Sequence, residues 1–178
     1  TYLDITERAK SGIAYAFQQP VRFKGITIRN LLELSAEEKL GEDRICDILG
    51  KVGLCAHEYI DREVNANLSG GESKRIEIAT VLARKNARMI VFDEPEAGVD
   101  LWSFASLIEA FKTLKKDSER SLLIISHQER IMDIADRIVV IADGKVRTEG
   151  DSGDILPSLL ENEKRGHCPL GKNVKETY

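Results

Sequence analysis

The sequence predicts an α/β fold in which short, buried parallel strands alternate with helices. Two short and continuous apolar runs carry this prediction, at residues 88–93 (RMIVFD) and 121–126 (SLLIIS). Continuous apolar runs of this length are typical of strands that are covered on both faces of a parallel sheet. A third apolar run, residues 13–17, is expected to form a further strand, and residues 26–85 have mostly helical spacing.

Caps, breakers and apolar periodicity predict the other elements. Helices are expected at residues 4–11, in two stretches between 26 and 53, at about 69–84, along 104–114, at 128–135 and at 151–165. Asp143-Gly144 lies between two apolar runs, which is a strong signal for a β-hairpin. The polar stretch 166–178 contains glycine and proline and is expected to be a tail outside the core.

Composition narrows the functional classes. The chain has 178 residues, of which 42% are hydrophobic and 31% are charged, as expected for one globular domain with a core. The net charge of −4 argues against a nucleic-acid partner, and no apolar run approaches the length of a membrane span. The cysteines show no C-x-x-C spacing, which predicts idle thiols of a cytoplasmic protein rather than a disulfide framework or a zinc site. They are Cys46, Cys55 and Cys168.

The stretch Ser69-Gly70-Gly71 has the composition of an anion-binding turn. Glycines leave backbone N–H groups free of side chains, so a bulky anion can approach them closely. A helix that begins here directs its unpaired N–H groups and the positive end of its dipole at that anion. Ser69 can cap this helix or donate its hydroxyl to a phosphate. The alternative interpretation is an ordinary serine-glycine turn before a helix.

Two carboxylates, Asp93 and Glu94, follow the apolar run 88–93. Sheets of the α/β class bind their ligands at the carboxyl ends of their strands. Glu94 is therefore a candidate general base that polarises a water molecule. The alternative interpretation is a pair of solvated charges at the end of a strand.

Gln18 and His127 also stand at the ends of predicted strands. The amide of a glutamine at such a position can contact a Mg²⁺ ion or an attacking water, and it can move with the loop that follows. Gln19 is the neighbouring alternative, and the residues alone do not separate the two. A lone histidine such as His127 is most simply a structural residue.

Five motifs in a fixed order resemble those of the ATP-binding cassette (ABC) ATPases. They are a signature motif at 68–72 (LSGGE), a Q-loop at 16–20 (AFQQP), a Walker B strand at 89–95 (MIVFDEP), a D-loop at 97–100 (AGVD) and an H-loop at 124–127 (IISH). The resemblance implies a P-loop NTPase fold of the α/β class, in which a RecA-like parallel sheet carries a helical subdomain. Residues 1–20 and 86–165 would form the RecA-like core, and residues 21–85 would form the helical signature subdomain.

The resemblance also implies a role for each candidate residue. Catalysis would involve Glu94, His127 as the switch histidine, and Gln18, which the family pattern favours over Gln19. Asp93 and Gln18 would hold Mg²⁺. The signature and D-loop residues would bind ATP, and they are Ser69, Gly70, Gly71, Glu72 and Asp100. The reaction would be hydrolysis of ATP in a nucleotide-driven dimer, because the family's signature motif closes on the ATP of a partner copy.

One element of the family is missing from this sequence. No G-x-x-x-x-G-K-[ST] phosphate loop occurs, and only seventeen residues precede Gln18. In the family this loop wraps the β-phosphate and supplies a lysine. We therefore expect that the chain starts inside the fold and that this segment alone is inactive.

Within the family, two stretches are most similar to the SufC ATPases of iron–sulfur cluster assembly. Residues 6–20 resemble their R-A-x-x-G-I-x-x-A-F-Q-x-P pattern, and residues 62–78 resemble R-x-x-N-x-x-x-S-G-G-E-x-K-R-x-E-I. Lys74 stands where a typical transporter subunit carries glutamine. Residues 96–100 (EAGVD) depart from the usual D-S-G-L-D of that subfamily. The resemblance implies SufB- and SufD-like scaffold proteins as partners.

Other members of the family offer alternatives. The first is the ATP-binding subunit of a membrane transporter, in which the Gln18-to-Leu34 surface would contact a membrane subunit from the cytoplasmic face. DNA-repair and chromosome ATPases place a long coiled coil before the signature motif, where this chain has about fifty residues without sustained heptads. A degenerate cassette kept only for dimerisation is the non-catalytic alternative.

Overall fold

The computed structural model describes residues 2–65, 67–116 and 119–164 of the chain. The chain forms two compact units, residues 1–126 and residues 127–178. The expected tail, residues 166–178, and with it Cys168, lies outside the described residues.

The described part of the first unit contains six helices and a three-stranded sheet. The helices are α1 (Ile5–Lys10), α2 (Ile28–Ala36), α3 (Glu42–Lys51), α4 (Ala56–Tyr59), α5 (Gly70–Ala83) and α6 (Leu101–Lys115). The strands are β1 (Ile13–Ala16), β2 (Met89–Asp93) and β3 (Ser121–Ile125). Each strand and helix α5 begin and end within one residue of the positions that the sequence predicts.

The three strands are parallel and lie in the order β1-β2-β3. Ala16 of β1 pairs with Phe92 of β2, and Phe92 pairs with Ile124 of β3. The prediction of a parallel sheet is therefore confirmed. Because parallel strands end at the same edge, the residues that follow β1 and β2 come close together there.

The prediction that both faces of the strand are covered is wrong for β3, and β1 is exposed on the same face of the sheet. On one face, Ala16 and Phe92 are fully buried, and the ring of Phe92 lies 4.9 Å from the ring of Phe111 on α6. On the opposite face, Tyr15 is 41% exposed, and Leu123 and Ile125 are both 48% exposed. The reason is that α6 packs on the Phe92 face, so a continuous apolar run need not mean burial on both sides.

Local capping explains where several helices begin and end. The carboxylate of Asp4 accepts a hydrogen bond from the N–H of Glu7 at 2.7 Å, so Asp4 caps α1. Gly53 follows α3 in the left-handed conformation (φ +72°), which is a common way for a helix to stop. The predicted apolar stripe of α3 is buried, as the exposures of Ile45 and Leu49 (both 0%) illustrate.

The second unit contains a hairpin and two helices in its described part. Its elements are α7 (Glu129–Asp133), β4 (Arg137–Ala142), β5 (Lys145–Asp151) and α8 (Ser152–Lys164). Strands β4 and β5 are antiparallel, and both Asp143 (φ +51°) and Gly144 (φ +72°) are left-handed, as a type I′ turn requires. The predicted hairpin is confirmed. Its inner face packs Ile138 and Val140 against Leu156 of α8.

The helices of the described residues were compared with the length and hydropathy of a membrane span. No helix there is both long enough and apolar enough to cross a bilayer.

Candidate active site

The ends of β1 and β2 bring three of the predicted site residues together. Asp93 is the last residue of β2, Glu94 follows it, and Gln18 lies two residues beyond β1. The side-chain amide of Gln18 donates a hydrogen bond to Oε2 of Glu94 at 2.7 Å. Glu94 has a left-handed backbone (φ +44°), which is uncommon for a residue with a side chain and is often found at functional positions.

Tyr15 is a member of this site that the sequence analysis missed. Its hydroxyl donates a hydrogen bond to Oδ2 of Asp93 at 3.0 Å. This bond, with burial and the carboxylate charge as smaller causes, raises the pKa of Tyr15 above its ordinary value. The parallel register places Tyr15 beside Val91, two residues before Asp93. Side chains alternate between the two faces of a strand, so Tyr15 and Asp93 could have been expected on the same face of the sheet.

The chemistry of these side chains suits a small divalent cation. Asp93, Glu94 and Gln18 offer carboxylate and amide oxygens, which are the ligands that Mg²⁺ prefers. Within residues 2–65, 67–116 and 119–164, no group of three or more His, Cys, Asp or Glu side chains is arranged to hold a metal ion by itself. In phosphoryl-transfer sites Mg²⁺ usually takes several of its ligands from phosphates and water.

Helix α5 begins with a complete capping box. The hydroxyl of Ser69 accepts the N–H of Glu72 at 3.2 Å, and Oε2 of Glu72 accepts the N–H of Ser69 at 2.7 Å. This reciprocal arrangement is the standard way to satisfy the first N–H groups of a helix. It fixes the start of α5 at Gly70, as the sequence predicts.

Glu72 has further partners besides the cap. The hydroxyl of Tyr59 donates to Oε1 of Glu72 at 2.5 Å, and the guanidinium of Arg62 lies 3.5 Å from the same oxygen. Arg62 also stacks over the ring of Tyr59, 4.8 Å from its centroid. The bond from Tyr59, followed by the bonds from Ser69, lowers the pKa of Glu72 to about 2. The carboxylate is thus engaged in the cap, and its contact with a nucleotide stays a prediction.

The two glycines of the signature motif have different surroundings. A Cβ atom added to Gly70 would meet no atom within 4 Å, so its backbone faces open space that an anion could enter. A Cβ atom added to Gly71 would lie 2.6 Å from the carbonyl oxygen of Gly98. Gly71 is therefore required by the packing of α5 against the turn before α6, and Gly70 is not.

Asp100 caps α6. Its Oδ1 accepts the N–H groups of Trp102 (3.1 Å) and Ser103 (3.0 Å), and its Oδ2 accepts the hydroxyl of Ser103 at 2.6 Å. The bonds from Ser103 lower the pKa of Asp100 below its ordinary value. The predicted role of Asp100 at an interface between two copies stays a prediction.

The end of β3 supplies one contact to the turn after β2. The hydroxyl of Ser126 donates to Oε1 of Glu96 at 2.6 Å. The other oxygen, Oε2 of Glu96, is buried without a hydrogen-bond partner among the described residues. His127 is the next residue in the chain and begins the second unit. Its predicted contact with a γ-phosphate and with Glu94 stays a prediction.

The chain has a parallel sheet with polar side chains at its strand ends, beside a helix that begins with two glycines, and solved ABC cassettes share this α/β fold. Comparison with known proteins identifies the family. The chain belongs to the ABC transporter family, whose model matches residues 2–97.

Curated relatives of this chain are named as transporter ATP-binding proteins. An uncharacterized ABC transporter ATP-binding protein of Methanocaldococcus jannaschii is 39% identical over 85% of this chain and 62% of its own length. An energy-coupling factor transporter ATP-binding protein of Mesomycoplasma hyopneumoniae is 34% identical over 88% of this chain and 56% of its own length. The chain thus spans about three fifths of the length of these relatives.

A solved structure supports the assignment of the fold. A dimeric ATP-binding cassette in a post-hydrolysis state, bound to ADP and phosphate, superposes with a TM-score of 0.71 and 24% identity. The match covers 85% of this chain and 68% of the cassette.

Proposed function

We propose that this chain belongs to the ATP-binding, ATP-hydrolysing subunit of a membrane transporter. The observation that carries the proposal is the 2.7 Å contact between the amide of Gln18 and the carboxylate of Glu94, next to Asp93. A glutamine, a candidate base and a candidate metal ligand at adjoining strand ends are the groups that hydrolysis of a nucleoside triphosphate requires. The names of the relatives supply the transporter part of the proposal.

In this proposal, a water molecule attacks the γ-phosphate of ATP in line with the leaving ADP. Glu94 accepts the proton of that water, and Gln18 orients the water from the neighbouring strand end. Asp93 and Gln18 would hold Mg²⁺, which would neutralise charge on the phosphate oxygens. His127 contacts the γ-phosphate from the end of β3. The products are ADP and phosphate.

In this proposal, the start of α5 binds an ATP molecule other than the one that Glu94 hydrolyses. Ser69, Gly70 and Gly71 bind the ATP held by a second copy, with Glu72 keeping the helix cap in place and Asp100 at the interface. The protein therefore acts as a dimer when ATP is bound. Because the 178-residue sequence contains no phosphate loop, we expect the chain by itself to hydrolyse little ATP.

The domain division belongs to the same proposal. Residues 1–20 and 86–165 form the RecA-like core, and residues 21–85 form the helical subdomain. A membrane subunit docks on the Gln18-to-Leu34 surface from the cytoplasmic side. Val21, which is 50% exposed, lies within that stretch.

A second candidate function is ATP hydrolysis in a Suf-type iron–sulfur cluster assembly complex, with SufB- and SufD-like partners. The side chains behind the SufC-like pattern favour it. Arg62 bonds the signature Glu72, and Lys74 is 1% exposed where transporter subunits carry glutamine. The names of the relatives favour the transporter, so the Suf complex is the second choice.

Affinity capture of the natural protein that contains this chain, from its own host, separates the two candidates. The transporter proposal expects a multi-spanning membrane subunit among the bound proteins. Val21→Asp should abolish that capture, because it places a charge in the proposed docking surface. The matched control is Ile5→Asp on α1, where Ile5 is 76% exposed, and it should capture normally. Soluble SufB- or SufD-like subunits in place of a membrane protein would overturn the transporter proposal.

A further inference from the structure

One buried cation in α5 contacts the backbone of both strand ends. Lys74 is only 1% exposed, although lysine is almost never fully buried without partners. Its ammonium donates to the carbonyl oxygens of Phe17, Gln18 (3.4 Å) and Asp93 (3.3 Å). All three acceptors lie in the two segments that carry the candidate active site.

Glu77 completes this arrangement from the same face of α5. Its Oε2 lies 3.3 Å from the ammonium of Lys74, and its side chain is 12% exposed. Its Oε1 accepts the backbone N–H of Phe17 at 2.8 Å. Burial raises the pKa of Glu77 above its ordinary value, while the hydrogen bond from the N–H of Phe17 and, to a smaller extent, Lys74 act in the opposite direction. Both the N–H and the C=O of Phe17 are therefore bound by this pair.

Packing alone does not account for a charged pair at this position. An apolar side chain of similar length could fill the space without the cost of taking two charges out of water. What an apolar side chain cannot do is bind three carbonyls and one N–H at once. The groups that this pair holds belong to the residues on either side of the Gln18–Glu94 contact.

We propose that Lys74 and Glu77 form a clamp that ties Gln18 to α5 and keeps its amide against Glu94. Both are positioning residues, since they hold the backbone next to the site and do not contact the reacting groups. The assignment of a catalytic consequence rests on the proposed ATP hydrolysis. The clamp itself is a physical contact that can be measured without nucleotide.

The clamp lies on the same helix as the glycines that we propose bind a nucleotide. Lys74 lies four residues after Gly70, so the clamp stands about 6 Å along the helix from the start of α5. The proposed nucleotide contact at Ser69 and Gly70 and the clamp on Phe17 and Gln18 therefore lie on one helix, less than two turns apart.

Amide hydrogen exchange in the nucleotide-free natural protein tests the contact directly. Lys74→Met should speed exchange at the Phe17 amide, whose N–H is held by Glu77, by about tenfold or more, because an opening that costs about 1.4 kcal/mol less is ten times more populated. The matched control is Lys85→Met, which removes the lysine of an exposed pair with Glu38 after the same helix. Exchange at Phe17 should be unchanged in that control.

Steady-state hydrolysis tests the catalytic consequence in the same variants. Lys74→Met should lower kcat about tenfold or more while the KM for ATP stays within about threefold, because the clamp touches no nucleotide. Lys74→Gln should recover part of the loss, since an amide can donate to one or two of the carbonyls. Glu77→Gln carries the test if Lys74→Met does not fold, because it keeps an acceptor for Phe17 and removes the ion pair.

The outcomes separate the clamp from the proposed function. Faster exchange at Phe17 without any ATP hydrolysis in the unmodified protein would retain the clamp and refute the proposed function. Unchanged exchange at Phe17 in Lys74→Met would refute the clamp, and so would an unchanged kcat in Glu77→Gln. A rise in KM with kcat unchanged would also refute it, because the pair would then act on nucleotide binding.

Discussion

The two glycines at the start of α5 allow packing and anion binding to be separated. They are neighbours in the first turn of one helix, yet Gly70 faces open space and Gly71 faces the carbonyl oxygen of Gly98. Gly70→Ala and Gly71→Ala are therefore a matched pair. We expect opposite effects on the free energy of unfolding.

The magnitude follows from the geometry. Replacing a helical glycine by alanine gains up to about 1 kcal/mol, and this gain is similar for both positions. At Gly71 the new Cβ would lie 2.6 Å from the oxygen of Gly98, against 3.4 Å for ordinary contact. The backbone must then open by about 0.8 Å, and overpacking of this kind costs about 1–3 kcal/mol. Gly71→Ala should therefore be about 1–3 kcal/mol less stable than Gly70→Ala.

Urea unfolding of the natural protein, followed by far-ultraviolet circular dichroism, measures this difference. The two variants should differ in ATP hydrolysis in a way that their stabilities do not predict. Gly70→Ala should lose activity while it keeps its stability, because the methyl group occupies the space proposed for a phosphate. Equal stabilities for the two variants would refute the packing argument. Full activity in Gly70→Ala would refute the role of the open backbone in binding.

Three further predictions test other contacts. Glu94→Gln should lower the rate of phosphate release about 10²–10⁴-fold while ATP binding is kept, because a general base is lost; an undiminished rate would exclude Glu94 as the base. Tyr59→Phe should lower the free energy of unfolding at pH 7 by about 1 kcal/mol, because Glu72 loses its strongest hydrogen bond. The lowered pKa of Glu72, about 2 against an ordinary 4.5, stabilises the fold above pH 4.5, and this contribution is lost as the pH falls toward 2. The deficit of Tyr59→Phe should therefore shrink in urea titrations below pH 4.5, and a deficit that does not change with pH would contradict the assignment. Ser126→Ala should cost about 1–3 kcal/mol in the same assay, because the buried carboxylate of Glu96 loses its hydroxyl donor; a cost below about 0.5 kcal/mol would show that this bond is replaceable.

Much of the fold could be predicted from the sequence because the relevant information is local. The strands β1, β2 and β3 are short apolar runs, and each was placed within one residue. The beginning of α5 is encoded by Ser69 and Glu72, which satisfy each other's N–H groups three residues apart. The hairpin follows from Asp143-Gly144, since both residues tolerate a positive φ.

The candidate site was predicted in part. Gln18 and Glu94 were expected at one edge of a parallel sheet, and their side chains are hydrogen-bonded there. The involvement of Tyr15 was missed because its partner, Asp93, is 78 residues away in the chain. The exposure of Leu123 was also missed, because an apolar run does not reveal which face of a strand another element will cover.

The sequence by itself determined the order of the strands and helices, the cap of α5 and the family to which its motifs point. Only the tertiary structure decided which partners the polar side chains bind and which of them are buried. In the sequence, Lys74 cannot be told from an ordinary surface lysine on a helix. Its burial involves a hydrogen bond to Phe17, which lies 57 residues earlier in the chain. Capping and turn formation depend on residues a few positions apart, so a sequence displays them. Contacts such as that of Gly71 with Gly98 arise only when separate elements pack, because the fold alone brings their backbones within reach.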